Sequence, residues 1–176
     1  MRKLKLEELG RVSVEEFKET TKIPVVVVLD QVRSMHNIGS IFRSADAFLV
    51  EKIYLCGITA RPPHKEIRKT ALGATESVEW EYVEEIHELI PRLKAENYTI
   101  LSVEQAEGSQ RLGDFTIDNE KKYALILGNE VDGVQQSVID QSDHCLEVPQ
   151  GGTKHSLNVS VCAGVVLWDF YKNFGI

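Results

Sequence analysis

Three short stretches of this chain set polar side chains beside glycines in a way that suits chemistry better than simple chain reversal. In the first, Asn37 and Arg43 flank Gly39. In the second, Leu127-Gly128-Asn129-Glu130-Val131-Asp132-Gly133 places an amide and a carboxylate between two glycines. In the third, Val148-Pro149-Gln150-Gly151-Gly152 and three further residues lead directly into Ser156-Leu157-Asn158. Exposed backbone N–H and C=O groups on such loops can read a flat heterocycle such as adenine. Arg43 offers a planar fork of donors, and Glu130, an acceptor only when ionised, can hold a guanidinium or a hydroxyl. Asn37 and Ser156 also suit plain helix caps. Gly39, Gly128, Gly133 and Gly152 are read as serving backbone geometry, and Asp30 as structural.

What is missing narrows the ligand. GxxxxGK[ST] is absent, no GxGxxG follows a strand, and no GxSxG nucleophile elbow occurs. A ligand without phosphates would account for the missing cradles. His36, His64, His87, His144 and His155 show no metal-ligand spacing with carboxylates or thiols, so no metal is expected. Cys56, Cys145 and Cys162 are odd in number and never paired as CxxC, which argues against a disulfide framework.

These loops need a scaffold, and 176 residues suffice for one domain. No run approaches the roughly 20 apolar residues of a membrane span. The charged amino terminus lacks the apolar core of a signal peptide, so a cytoplasmic protein is expected. A net charge of −7 argues against broad nucleic-acid binding, yet Arg61–Lys69 carries four Lys/Arg against one Glu. Glu76–Glu88 carries six Glu and no Lys or Arg.

Ser13-Val-Glu-Glu16 is a capping box that predicts a short helix over 13–21. Pro24–Asp30 is a β-branched run fit for a strand buried on both faces. Asn37 is expected to cap a helix through Phe48, followed by a strand at Lys52–Cys56 and a basic helix at Lys65–Ala71. A strand at Val78–Tyr82 precedes an amphipathic helix at Val83–Asn97, with Pro91 arguing against an unbroken one. YTILSVE, YALILG and HCLEVP supply three more strands, and a last helix is expected from about Ser156 to Asn173. Alternating strands and helices predict an α/β domain, a mainly parallel sheet with helices on both faces. Ligands then sit beyond the carboxyl ends of the strands, where the three stretches fall.

In this order the stretches resemble the three motifs of the SpoU/TrmH group of RNA ribose 2′-O-methyltransferases, within the SPOUT superfamily. N-x-G-x-x-x-R matches Asn37 to Arg43, L-G-x-E-x-x-G matches Leu127 to Gly133, and the third motif matches Val148 to Val161. Val148 and Gln150 depart from the usual Ile and Met of that motif. The resemblance implies a C-terminal trefoil knot and a homodimer packed near it. It implies S-adenosylmethionine as cofactor, held by Leu127, Gly128, Asn129, Glu130, Gly133, Val148, Pro149, Gln150, Ser156 and Leu157. It carries a catalytic role to Asn37, Arg43, Glu130, Ser156 and Asn158, with Arg43 acting either as the base or as a phosphate clamp. Small residues on the last helix, Ser160, Ala163 and Gly164, are consistent with a dimer interface or with burial in the same chain.

The expectation is therefore a single methyltransferase domain over 1–176, with a helical extension at about 1–22 and no appended RNA-binding domain. The substrate is RNA. tRNA is favoured for the compactness of the chain, and rRNA is the alternative. A non-catalytic RNA-binding dimer of the same fold, or an unrelated nucleotide-using enzyme, are the competing readings. Candidate RNA contacts are Arg11, Arg33, Arg61, Lys65, Arg68, Lys69 and Lys154.

Overall fold

Strand β1 (Ile23–Asp30) is buried along nearly its whole length, and its alternation decides the layout. Val25, Val27 and Leu29 face one hydrophobic core, while Val26 and Val28 face another. A strand apolar on both sides must be covered on both sides. In the computed structural model, which describes residues 1–10 and 12–175, helices provide that cover. Arg11, one of the candidate RNA contacts, lies outside the described residues.

The first face is covered by α1 (Val14–Glu19), α2 (Met35–Ala47), α3 (Lys65–Ala71) and α4 (Ala74–Ser77). The second is covered by α5 (Ile86–Ala95) and α6 (Gln136–Ile139), after which α7 (Val159–Phe174) returns to the first. The remaining strands are β2 (Val50–Cys56), β3 (Trp80–Val83), β4 (Tyr98–Val103), β5 (Gln110–Arg111), β6 (Lys122–Leu127) and β7 (His144–Glu147). The sheet order is β3-β2-β1-β6-β4-β7-β5, and every strand pairing is parallel. Val27 stands opposite Ile53 on one side and Leu125 on the other, so the carboxyl ends of β1, β2 and β6 finish level. Among the described residues no helix is long and apolar enough to cross a membrane.

Helix boundaries depart from expectation at the first and third of the glycine-bearing stretches. Asn37 does not cap α2. Ser34 does, its hydroxyl accepting from Asn37 N at 3.3 Å. Ser34 is an equally good cap, and starting there moves Asn37 into the first turn, where its side chain is free for other partners. The last helix starts at Val159, with Asn158 as the cap, accepting from Ser160 N at 2.9 Å and Val161 N at 3.3 Å. Ser156 and Leu157 therefore stay on the loop. The capping box at Ser13 and Glu16 is present, although α1 stops at Glu19. Pro91 sits inside α5 without ending it, and Val83 belongs to β3.

Two buried polar groups shape the turn that delivers α2. Thr59 Oγ1 donates to Leu29 O and accepts from Val32 N, both at 3.0 Å. Asp30 accepts from Gln135 Nε2 at 2.8 Å through one oxygen, while the other has no hydrogen-bond partner among the described residues. Burial pushes its carboxyl above the usual range, against the lowering effect of the Gln135 bond. This fits the structural role read for it.

Gly39 lets α2 and α3 meet. A Cβ there would lie 2.2 Å from Thr70 Oγ1 and 2.3 Å from the Ile67 carbonyl oxygen. Gly152, by contrast, has nothing within 4 Å of its virtual Cβ, so no packing constraint explains it. Gly39→Ala is expected to lower stability by about 2–3 kcal/mol, and Gly152→Ala by less than about 0.5 kcal/mol. Urea unfolding measures both. Equal midpoints for the two variants would mean that the α2–α3 approach relaxes freely.

Candidate active site

At the carboxyl end of the sheet one carboxylate gathers the separated stretches. Glu130 Oε2 accepts from Arg33 N at 2.9 Å, and Oε1 accepts from Ser34 N at 2.9 Å and from Asn37 Nδ2 at 3.0 Å. Asn37 Oδ1 in turn accepts from Asn158 Nδ2 at 3.1 Å. Residues from all three stretches thus form one chain of hydrogen bonds from the start of α2 to the start of α7. Partial desolvation alone would raise the Glu130 carboxyl. The three donors outweigh it and hold the group below its ordinary value.

Beside this chain opens a cavity of about 420 Å³, of the size that takes a small organic cofactor. Its walls come from the two later stretches and from the ends of β4 and β7. Leu127, Gly128, Asn129, Glu130 and Gly133 line it, as do Val148, Gln150, Ser156, Leu157 and Asn158. Pro149 does not. The second loop is tight: a Cβ on Gly128 would lie 2.2 Å from the Gly133 carbonyl carbon, and Gly133 has φ +69°. Asn129 ties this loop to the first stretch, Nδ2 donating to Gln31 O at 2.9 Å, while its Oδ1 accepts from Val131 N at 2.8 Å. Its side chain is thereby occupied, and its backbone is paired with Gly133, N donating to Gly133 O at 3.1 Å and O accepting from Gly133 N at 2.9 Å.

Arg43 departs from the sequence expectation of a partner in Glu130. It faces away, into a shallow groove with Ser40, Ser44, Phe48 and Thr70, and joins no ion pair among the described residues. Six residues along a helix turn it well round from Asn37. The other candidate RNA contacts, Arg33, Arg61, Lys65, Arg68, Lys69 and Lys154, are all exposed. Lys69 is paired with Glu66 at 2.8 Å, and Arg61 lies 4.2 Å over the Tyr82 ring.

Sequence reading missed Glu104, Gln105, Glu147 and Cys162 on the cavity wall. For Glu104, Gln105 and Glu147 the one signal was position at or just beyond the carboxyl end of a strand, and Cys162, inside α7, had none. Cys162 is no nucleophile: burial, then the nearby Glu104 charge, pushes its thiol up to about 11.

A family model described as the SpoU rRNA methylase family matches residues 24–168. An uncharacterized tRNA/rRNA methyltransferase of Borreliella burgdorferi is 29% identical over 163 residues, 93% of this chain and 70% of that protein. The 23S rRNA (guanosine-2′-O-)-methyltransferase RlmB of Escherichia coli is 30% identical over 149 residues, covering 83% of this chain but only 59% of RlmB. An AdoMet-bound rRNA methyltransferase structure from Sinorhizobium meliloti superposes with a TM-score of 0.81 at 24% identity. The match covers 89% of this chain and 60% of that one.

A pH dependence follows from Glu130. Its folded pKa lies below the ordinary 4.5, so its contribution to stability is complete above that pH and fades as pH falls through the folded value. Glu130→Gln is expected to lower Tm at pH 7, with the gap to the parent chain narrowing below about pH 4.5. A gap independent of pH would place the loss in packing and not in the carboxylate.

Proposed function

The chain belongs to the SpoU rRNA methylase family, and from that premise we propose that it transfers the methyl group of S-adenosylmethionine to a ribose 2′-hydroxyl of RNA. The observation that carries the reading is the hydrogen-bonded chain Glu130–Asn37–Asn158, which joins three distant stretches at the mouth of one cavity. The cavity suits this cofactor in its donor set. Glu104, Glu130, Asp132 and Glu147 lie on its wall, and among the described residues no Lys or Arg does. Such a wall repels phosphates and accepts a cationic ligand, which weighs against ATP or NAD.

When bound, S-adenosylmethionine supplies an electrophilic methyl on a sulfonium. The backbone of residues 127–133 and the loop at 148–157 hold it. The Asn158–Asn37 bond joins the start of α7 to the first turn of α2 beside the cavity, and Ser156, which lines the cavity from the loop, would help to hold the cofactor. A 2′-hydroxyl is a weak nucleophile and needs alignment with the methyl carbon. Arg43, with its planar fork of donors, is best suited to clamp the RNA phosphate and so orient that hydroxyl.

Arg43 does not reach the cavity of its own chain, and this supports a homodimer. Its groove borders α7 through Phe48, whose ring lies 5.8 Å from Trp168. On α7, Val161, Val165 and Trp168 form an apolar stripe, 54%, 40% and 52% exposed. A second copy packed on that stripe covers it and sets the Arg43 of one protomer against the cavity of its partner. The substrate is RNA of the cytoplasm, with tRNA taken first and rRNA as the alternative.

Two measurements test this. Radiolabelled methyl transfer from S-adenosylmethionine to total cellular RNA, separated by size, is expected to label the tRNA band. Label in rRNA keeps the reaction and changes the substrate, and no label in any fraction refutes the reaction. Arg43→Ala and Asn158→Ala are each expected to lose at least about 100-fold in rate. Mixed as subunits, they are expected to regain about a quarter of the parent activity, because half the dimers then hold one intact site. No recovery on mixing would place Arg43 in its own chain's site.

A further inference from the structure

Glu104 and Gln105 follow β4 and belong to none of the three glycine-bearing stretches. Glu104 N donates to Leu146 O at 2.9 Å, anchoring the pair against β7. Glu104 Oε2 accepts from Val134 N at 2.9 Å, and Oε1 accepts from Gln105 N at 2.8 Å. The carboxylate lies so close to the second loop that a Cβ on Gly133 would meet it at 2.1 Å. Gln105 Nε2 reaches the third loop, donating to His155 O at 2.7 Å. This dipeptide therefore grips both loops of the cavity at once.

Its charge is the second observation. Of the other carboxylates on the wall, Glu130 is engaged with the start of α2, Glu147 accepts from the Ser109 hydroxyl at 3.1 Å, and Asp132 is exposed on its loop with no bond fixing its carboxylate among the described residues. Glu104 is held by backbone N–H groups alone, and no ion pair among the described residues includes it. A carboxylate fixed on a cavity wall without a cation favours a ligand that brings one.

We infer that Glu104 is a specificity-determining residue, which makes the cavity bind S-adenosylmethionine in preference to S-adenosylhomocysteine, with Gln105 as the positioning residue that holds the third loop over either. The inference rests on the function proposed above. In the transfer the carbon–sulfur bond to the methyl breaks, its electron pair stays on sulfur, and the 2′-oxygen bonds the methyl and loses its proton to solvent. The sulfonium becomes a neutral thioether, so the cofactor's net charge falls from +1 to zero. Glu104 loses its counter-charge at that moment, and the product is released more readily than the cofactor.

The experiment is calorimetric binding of both compounds to the full chain and to Glu104→Gln and Gln105→Ala, at low and high salt. Glu104→Gln keeps the side chain's size and an acceptor for Val134 N–H. It is expected to weaken S-adenosylmethionine about ten-fold and S-adenosylhomocysteine less than about two-fold. Gln105→Ala is expected to weaken both alike. In the parent chain, high salt is expected to narrow the ratio of the two Kd values. That arm holds even if a variant misfolds. An unchanged ratio in Glu104→Gln, or a ratio in the parent chain indifferent to salt, overturns the inference while leaving the proposed reaction intact. A parent chain that binds neither compound removes the reaction and the inference together.

Discussion

A helix begins with backbone N–H groups that its own ladder cannot satisfy, and a negative charge placed there is favoured by both hydrogen bonding and the helix dipole. At α2 this charge comes from Glu130, 93 residues further along the chain than Asn37. The N–H groups it takes, those of Arg33 and Ser34, belong to the turn just ahead of the helix. One carboxylate therefore sets where α2 starts, where the β6 loop lies and how Asn37 points. Once Asn37 is aimed, its remaining amide oxygen fixes Asn158 and with it the start of α7. The geometry of the candidate site thus depends on the three hydrogen bonds that this one carboxylate accepts.

Close approach supplies the rest of the rigidity. Gly128 and Gly133 bring the two ends of their loop within a distance no side chain allows, and the paired bonds Asn129 N to Gly133 O and Gly133 N to Asn129 O, 3.1 and 2.9 Å, close it. Gly39 performs the same service between helices, pressing α3 onto α2. The third loop differs in kind. Gly151 and Gly152 meet nothing, and residues 150–158 are exposed throughout. The wall made by residues 127–133 is thus built in, while the third loop is held by a few polar bonds.

The fold was largely legible because its signals are local. The run Val25–Val28 announces a strand covered on both faces, and Ser13 with Glu16 announces a helix start. The cap of α2 was misread because Ser34 and Asn37 are both good caps in sequence, and only Glu130 decides between them by claiming Asn37's side chain. For the same reason Arg43 could be located on its helix but not paired, since its direction depends on which turn comes first. Glu104 and Gln105 were legible only as the residues that follow β4. Nothing in their types or spacing marks them, and their role exists only once β4 lies between β6 and β7. The knot implied by the family resemblance is likewise a matter of chain path, which no periodicity encodes.

An acidic chain that handles RNA poses an electrostatic problem, and the distribution of charge resolves it. The net charge of −7 is an average over surfaces with opposed tasks. Among the described residues the cavity wall carries carboxylates and no Lys or Arg, so a cationic cofactor would benefit there and a polyanion would be excluded. Arg33, Arg61, Lys65, Arg68 and Lys69 lie outside it, exposed on the turn before α2 and along the loop and helix α3 that pack against α2. The contact between His36 of α2 and Glu66 of α3, at 3.0 Å, ties that basic surface to the turn bearing Asn37. A backbone phosphate drawn to the basic side therefore meets a helix whose position the Glu130 contact has already fixed. Under the proposed function, separation of the two fields would let the chain hold a cation and a polyanion side by side without either displacing the other.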